Sequence, residues 1–301
     1  MSRRATPRRV LTALAAVCIL GYGAEVLWLV TQETRLVFQA ARPLAEGRPS
    51  FPYEQIDVPR TDLTRQFAWV MRVAPAPDAR LWILYLHGNA STIASRMNIS
   101  HYTRLRELGL NVFAPEYRGF GGLAGVPTES SLEADARAAY DYLRSREGVT
   151  PERIIVYGWS LGSAVAVTLA SQLPQAAVIL EGAPASLVAI GEQQYPLFPI
   201  RRIMRNPFES ITRVSRIRAP MLFLHSPEDT VIPIGEGRRL YDAATAPKTF
   251  VEVRGGHIYA SQVDAREFYG AIRTFLESLA LLPVRSNAAT ATAADRGRRA
   301  D

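Results

Sequence analysis

Gly158-Trp159-Ser160-Leu161-Gly162 sets a serine between two glycines, each two residues away. A serine hydroxyl is a weak nucleophile until it is exposed, held beside a general base and faced by donors for the oxyanion it creates. The G-x-S-x-G spacing meets the first need. Glycines at those offsets let a strand and a helix close so sharply that the side chain between them projects outward. The flanks fit, with the apolar run Ile154–Tyr157 before the turn and the helix-forming stretch Leu161–Gln172 after it. An ordinary strand–helix turn with a capping serine is the competing reading.

The acid and the base are expected later in the chain, each past the end of a strand, in that order. Asp229 follows the apolar run Met221–Leu224 in His225-Ser226-Pro227-Glu228-Asp229, and Val231-Ile232-Pro233 leads the chain away from the sheet. Glu228 is the alternative acid. His257 closes Arg254-Gly255-Gly256-His257 after the last strand, where two glycines let a loop aim an imidazole back at Ser160. Among the other histidines, His101 falls mid-helix and reads as a surface residue, while His225 ends a strand and reads as structural. The turn His87-Gly88-Asn89-Ala90 after Leu81–Leu86 has a different task. An oxyanion hole takes the N–H after the nucleophile, here Leu161, and a second from this turn, for which Asn89 is the candidate. His87 then reads as a structural hydrogen-bonder. In this scheme His257, oriented by Asp229, deprotonates Ser160, which attacks an acyl carbonyl, and the same histidine activates the water that clears the acyl-enzyme.

The elements that must position these groups alternate. Tyr53–Val58 and Phe67–Val73 read as antiparallel edge strands. The buried-type strands follow at Leu81–Leu86, Val112–Pro115, Ile154–Tyr157, Ala177–Leu180, Met221–Leu224 and Phe250–Val253. Helical stretches lie between or after them at Thr92–Leu108, Glu129–Arg146, Leu161–Gln172, Glu236–Ala244 and Val263–Leu279. Strand–helix alternation with continuously apolar strands predicts an α/β fold, a mostly parallel central sheet flanked by helices. The domain should occupy residues 53–282. Within it, an insertion at about 182–219 breaks the rhythm and is long enough to be a lid or binding element. Its Tyr195, Phe198 and Phe208 are the candidate substrate-binding residues, with a role as the core of the lid as the competing reading. The end of the chain, 283–301, is small, polar and charged, a disordered composition.

Residues 10–30, VLTALAAVCILGYGAEVLWLV, carry Glu25 as their only charge and are long enough as a helix to cross a bilayer. Arg3, Arg4, Arg8 and Arg9 in the basic segment 1–9 precede the run, and only Arg35 follows closely. That asymmetry predicts a single-pass anchor with a cytoplasmic N-terminus and an extracytoplasmic domain, joined by a linker at 31–52. A signal peptide cleaved near Gly21-Tyr22-Gly23, giving a secreted or periplasmic product, and a buried helix are the alternatives. The net charge of +7 is concentrated at the termini, so no basic face for nucleic acid is implied. The lone Cys18 excludes an intrachain disulfide framework and Cys-based zinc sites.

Leu86-His87-Gly88-Asn89-Ala90, Tyr117-Arg118-Gly119-Phe120-Gly121, Tyr157–Ser163 and Asp229-Thr230-Val231-Ile232-Pro233 together resemble the α/β-hydrolase domain-containing proteins, in the branch with an N-terminal membrane segment. The resemblance spans roughly residues 33–280 and implies the α/β-hydrolase fold. It carries that family's triad onto Ser160, Asp229 and His257. It also implies hydrolysis of carboxylic esters or acyl thioesters, some relatives removing acyl chains from proteins or lipids. The chain departs from the family pattern at Glu116, at Ser226 and at Ile258-Tyr259, none of them a triad position. The expected partners are an acyl ester or thioester, lipid or acylated protein among the carriers, and the membrane. No metal or organic cofactor is called for, because the triad supplies its own base and oxyanion donors. A serine aminopeptidase or amidase is the rival activity. It is disfavoured because arginines outnumber the acids Glu181, Glu192 and Glu209 around the insertion. A non-catalytic scaffold is the rival from another class.

Overall fold

The computed structural model describes residues 7–40, 47–60, 64–73 and 81–284. One eight-stranded sheet runs in the order β1-β2-β4-β3-β5-β6-β7-β8. The strands are β1 Glu54–Val58, β2 Gln66–Met71, β3 Trp82–Leu86, β4 Asn111–Pro115, β5 Ile154–Trp159, β6 Ala177–Glu181, β7 Met221–His225 and β8 Lys248–Glu252. β1 and β2 pair antiparallel, as does β2 with β4, and every other pair is parallel. The antiparallel pair therefore sits at one edge, as the sequence predicted.

Strands β3 to β7 are buried along their whole length, which is why they read as unbroken apolar runs rather than as alternating ones. Alternate side chains of one strand still serve opposite faces. Trp82, Leu84 and Leu86 of β3 pack in the layer that holds α3 Glu129–Ser145, α4 Leu161–Ala170 and α7 Ile234–Ala243. Ile83 and Tyr85 pack in the layer of α2 Arg96–Glu107, α8 Gly256–Val263 and α9 Ala265–Ser278. The helices begin where the sequence supplies caps. Thr128 and Ser131 form a reciprocal capping box at α3, and the Asp264 side chain accepts from Glu267 N–H at α9.

Two expectations need correction. The chain does not leave its first helix at residue 30 for a linker. α1 runs unbroken from Pro7 to Phe38, and residues 41–46 of the expected linker lie outside the described residues. The physical reason is that the end of α1 is docked. Phe38 is fully buried against Phe208, ring centroids 6.0 Å apart, and Glu33 is 5% exposed. The insertion, expected to be a lid or binding element, carries helices of its own, α5 Leu187–Gln194 and α6 Ile200–Ile203. Secondly, the segment after β8 forms α8, not a loop, because Gly255 (φ 106°) and Gly256 (φ 66°) turn the chain straight into a helix. Residues 1–6 of the basic segment and 285–301 of the tail lie outside the described residues.

Glu33 fastens α1 to the insertion. Its carboxylate accepts from the backbone N–H groups of Arg205 and Asn206 at 2.7 and 2.8 Å, from Arg205 Nε at 2.8 Å and from Asn206 Nδ2 at 3.0 Å. Removing an acceptor of this kind strands buried donors, at a cost of about 1–3 kcal/mol. Glu33→Ala is therefore expected to lower the thermal unfolding midpoint of the detergent-solubilised chain by roughly 5 °C. An unchanged midpoint would show that the clasp contributes nothing.

Candidate active site

Ser160 sits between β5 and α4 at φ 54° and ψ −120°, a backbone conformation that a side chain seldom adopts. The turn can form because its neighbours lack side chains. A Cβ on Gly158 would overlap the Gly162 carbonyl, and one on Gly162 would overlap the carbonyl of Leu86 at the end of β3. Ser160 N–H donates to Glu181 O at 2.8 Å, and Ser163 Oγ reaches both Gly158 O (2.7 Å) and Glu181 O (2.9 Å). These bonds tie the elbow to β6.

His257 lies in the first turn of α8 and contacts Ser160 and Asp229 at once. His257 Nε2 is 2.8 Å from Ser160 Oγ, and Nδ1 is 2.6 Å from Asp229 Oδ2. With Nδ1 protonated, the imidazole donates to the carboxylate and accepts the serine proton. Asp229 Oδ1 accepts from the Val231 and Ile232 N–H groups at 2.9 and 2.7 Å, and His225 Nε2 stands 3.5 Å from Oδ2. Burial alone would push this carboxyl up. The bonds to His225 and His257, together with the Ile232 N–H, outweigh it and hold the pKa well below the usual range, so Asp229 is a charged orienter. Glu228, the alternative acid, instead accepts from Gly255 N–H at 3.0 Å and braces the approach to His257.

Leu161 and Asn89 offer their backbone N–H groups. Among the described residues neither bonds an acceptor. Asn89 Nδ2 donates 2.6 Å to Val37 O at the end of α1, and its Oδ1 accepts from Ala90 N–H, so its side chain is turned away from the serine. Gly88 brings that turn close: a Cβ there would lie 3.2 Å from Ser160 Cβ. His87 is buried and bonds Glu116 Oε1 at 2.8 Å, and the same carboxylate accepts from the Ile93 and Tyr117 N–H groups. The unusual Glu116 thus joins the β3 turn to the β4 turn.

Beside the Asn89 turn lies a cavity of about 230 Å³. Leu29, Leu36 and Val37 of α1 form one wall, and Leu187, Ile190 and Tyr195 of the insertion form another. Of the aromatic candidates only Tyr195 lines it. Phe198 stacks on Tyr22 of α1 at 5.3 Å, and Phe208 is core, 1% exposed against Phe38. Both rings are drawn away by α1, Phe198 by Tyr22 of the expected membrane span and Phe208 by Phe38 of the expected linker.

The family model described as "Alpha/beta hydrolase family" matches residues 83–288. The chain belongs to the α/β-hydrolase family. An uncharacterized protein of Mycobacterium tuberculosis is 35% identical over 277 residues, covering 91% of this chain and 97% of its own. Human alpha/beta hydrolase domain-containing protein 17B is 35% identical over 191 residues, 62% of this chain and 64% of that one, so the match spans under two thirds of that relative. An esterase of Pyrococcus furiosus superposes with a TM-score of 0.68 at 18% identity, over 81% of this chain and 97% of its own. Est1E of Butyrivibrio proteoclasticus, with ferulic acid bound, gives 0.62 at 15% identity, over 74% and 98%. At those identities the structures speak for the fold alone. The α/β-hydrolase fold and its apolar N-terminal helix agree with the branch that the sequence resembles.

Two groups of this α/β hydrolase were missed or misplaced in the sequence. His101 is not a surface residue. It is fully buried, 2.9 Å from Tyr269 OH and 3.2 Å from Ser261 Oγ, and burial pushes its pKa down to about 3, so the ring is neutral. Glu181, whose carbonyl anchors the elbow, buries its carboxyl under the site and accepts from Tyr157 OH at 2.5 Å. Burial, with a smaller contribution from Asp229, pushes its pKa up to about 8 from an ordinary 4.5. The only cue was a glutamate closing an apolar strand. Between those pH values the folded chain keeps a proton that the unfolded chain releases, so native stability falls as pH rises. Thermal melts at pH 5 and 8 are expected to fall less for Glu181→Gln than for wild type, and equal slopes would contradict the buried acid.

Proposed function

We propose that this chain is a serine hydrolase of carboxylic esters or acyl thioesters, held at the membrane by α1. The observation that carries the proposal is the continuous contact from Ser160 Oγ through His257 to a charged Asp229, 2.8 and 2.6 Å per step. His257 takes the serine proton as Ser160 Oγ attacks the acyl carbonyl. The imidazolium is stabilised by Asp229, and the tetrahedral oxyanion by the Leu161 and Asn89 N–H groups. Collapse of the intermediate transfers the proton to the leaving alcohol or thiol and leaves an acyl-serine. Water, deprotonated by the same histidine, then releases the acid and restores Ser160.

Ester or thioester cleavage is preferred over aminopeptidase action because the cavity offers a free α-amine no available carboxylate. Its one acid, Glu33, is occupied by Arg205 and Asn206. A single-pass anchor, with a cytoplasmic N-terminus and an extracytoplasmic domain, is supported by Arg8 and Arg9 ahead of the apolar run. An uncleaved anchor is supported further because Gly21-Tyr22-Gly23 lies inside an unbroken helix and Tyr22 OH bonds Leu197 O at 3.1 Å. The substrates fitting this reading are acylated lipids or acylated proteins.

A fluorophosphonate probe is expected to label the wild-type chain and not Ser160→Ala. His257→Ala and Asp229→Asn should each lower kcat on p-nitrophenyl butyrate by about 10⁴-fold. A folded wild-type chain that takes no label would overturn the assignment.

A further inference from the structure

The insertion reaches along α1 toward the bilayer further than a domain standing clear of the membrane would. Its tip meets α1 at Tyr22, through the Phe198 stack and the Leu197 carbonyl. Among the described residues Pro7–Gly21 lies beyond that contact, and at about 1.5 Å per residue this length rises about 21 Å. A hydrocarbon core is about 30 Å thick, so a spanning α1 must use the length that the insertion covers. If residues 10–30 fill the core, Tyr22 lies about 12 Å inside it. The tip's chemistry suits that depth. Leu197 is 80% exposed with no polar side chain between it and Tyr195, while the exposed Arg202 and then Arg205, bonded to Glu33, follow it in the chain. Arginines at that level can extend to headgroups while their stems stay apolar. Glu25 is the one charged side chain on this length of α1, and it is exposed. Close to the triad, the exposed apolar side chains Val231, Ile258 and Tyr259 continue the same character.

We propose that the insertion tip is sunk in the leaflet beneath the catalytic domain. The cavity between α1 and the insertion then receives a fatty acyl chain directly from that leaflet. Leu29 is at once the lipid-level end of the anchor and part of the cavity wall, Leu36 continues that wall toward the domain, and the Asn89 turn beside Ser160 also lines the cavity. An acyl chain passing from bilayer to cavity keeps Leu29, Leu36, Leu187 and Ile190 against it, with Glu33, Gln39 and Gln194 as the polar part of the lining, so most of its apolar surface stays out of water. Leu29, Leu36 and Ile190 are then specificity-determining residues, selecting a linear aliphatic chain whose ester or thioester carbonyl stops at the oxyanion donors. This reading rests on Ser160 as nucleophile, yet its first test does not depend on catalysis.

The full chain carrying Cys18→Ser and Leu197→Cys is labelled with a nitroxide and reconstituted in phosphatidylcholine vesicles. Power saturation is expected to show greater accessibility to oxygen than to a water-soluble nickel complex, the signature of hydrocarbon. Greater accessibility to nickel would overturn the proposal, as would protection from both, which would mean that a second copy covers the tip. In the second test, Leu197→Asp is expected to hydrolyse a vesicle-embedded long-chain fluorogenic ester at least tenfold more slowly than wild type. Fluorophosphonate labelling and turnover of soluble p-nitrophenyl acetate should be unchanged. Equal rates on the embedded ester, or an equal loss on both substrates, would refute entry from the leaflet. Absence of fluorophosphonate labelling in wild type would instead refute the serine assignment and leave the depth measurement standing.

Discussion

Ser160 is held in a backbone conformation that costs about 1–3 kcal/mol, and much of the molecule is arranged around keeping it there. Neighbouring parallel strands end at that point. β3 offers the Leu86 carbonyl against Gly162, β5 delivers the serine, and β6 accepts its N–H through Glu181 O. No one of these contacts fixes the turn alone. Together they leave it no relaxed alternative, since rotating Ser160 toward ordinary angles would break the bond to β6 and drive the start of α4 into β3. The strain is local and the support comes from across the sheet.

The same economy governs the other histidines around the site. His87 is bound to Glu116, and His225 stands by Asp229 while its Nε2 contacts Ile232 O at 2.8 Å. Each fastens a turn at the end of a strand, so the turns that carry Asn89 and Asp229 are positioned by buried imidazoles. Such turns hold their donors in place before substrate arrives, which is the condition under which oxyanion stabilisation is effective.

The parts of this arrangement legible in the sequence were those set by local rules. Strand and helix periodicity gave the sheet and its antiparallel edge, and glycine spacing picked out the elbow and the Asn89 turn. The order of acid and histidine brought Asp229 and His257 to the same place as Ser160. What escaped depended on distant packing. His101 lies on α2 with polar neighbours, and nothing in those neighbours says that Ser261 and Tyr269, far along the chain, will cover it. Glu181 looks like the polar end of a strand until Tyr157 and the elbow close over it. Phe198 and Phe208 were claimed by α1, which hydropathy alone presents as a membrane span and not as a neighbour of the insertion. α8 was missed because paired glycines signal a loop as readily as a sharp entry into a helix.

α1 continues from Pro7 to Phe38 without a break, and Glu33 and Phe38 bolt its last turns to the domain. Among the described residues the last turns of α1 are packed directly on the domain. A spanning helix answers a thicker or thinner bilayer chiefly by changing its tilt. If α1 spans a bilayer as proposed, a change of tilt would swing the whole α/β domain, as a rigid arm carries a tool. The height of Ser160 above the lipid would then follow membrane thickness, making the composition of the surrounding bilayer a setting of the enzyme's reach.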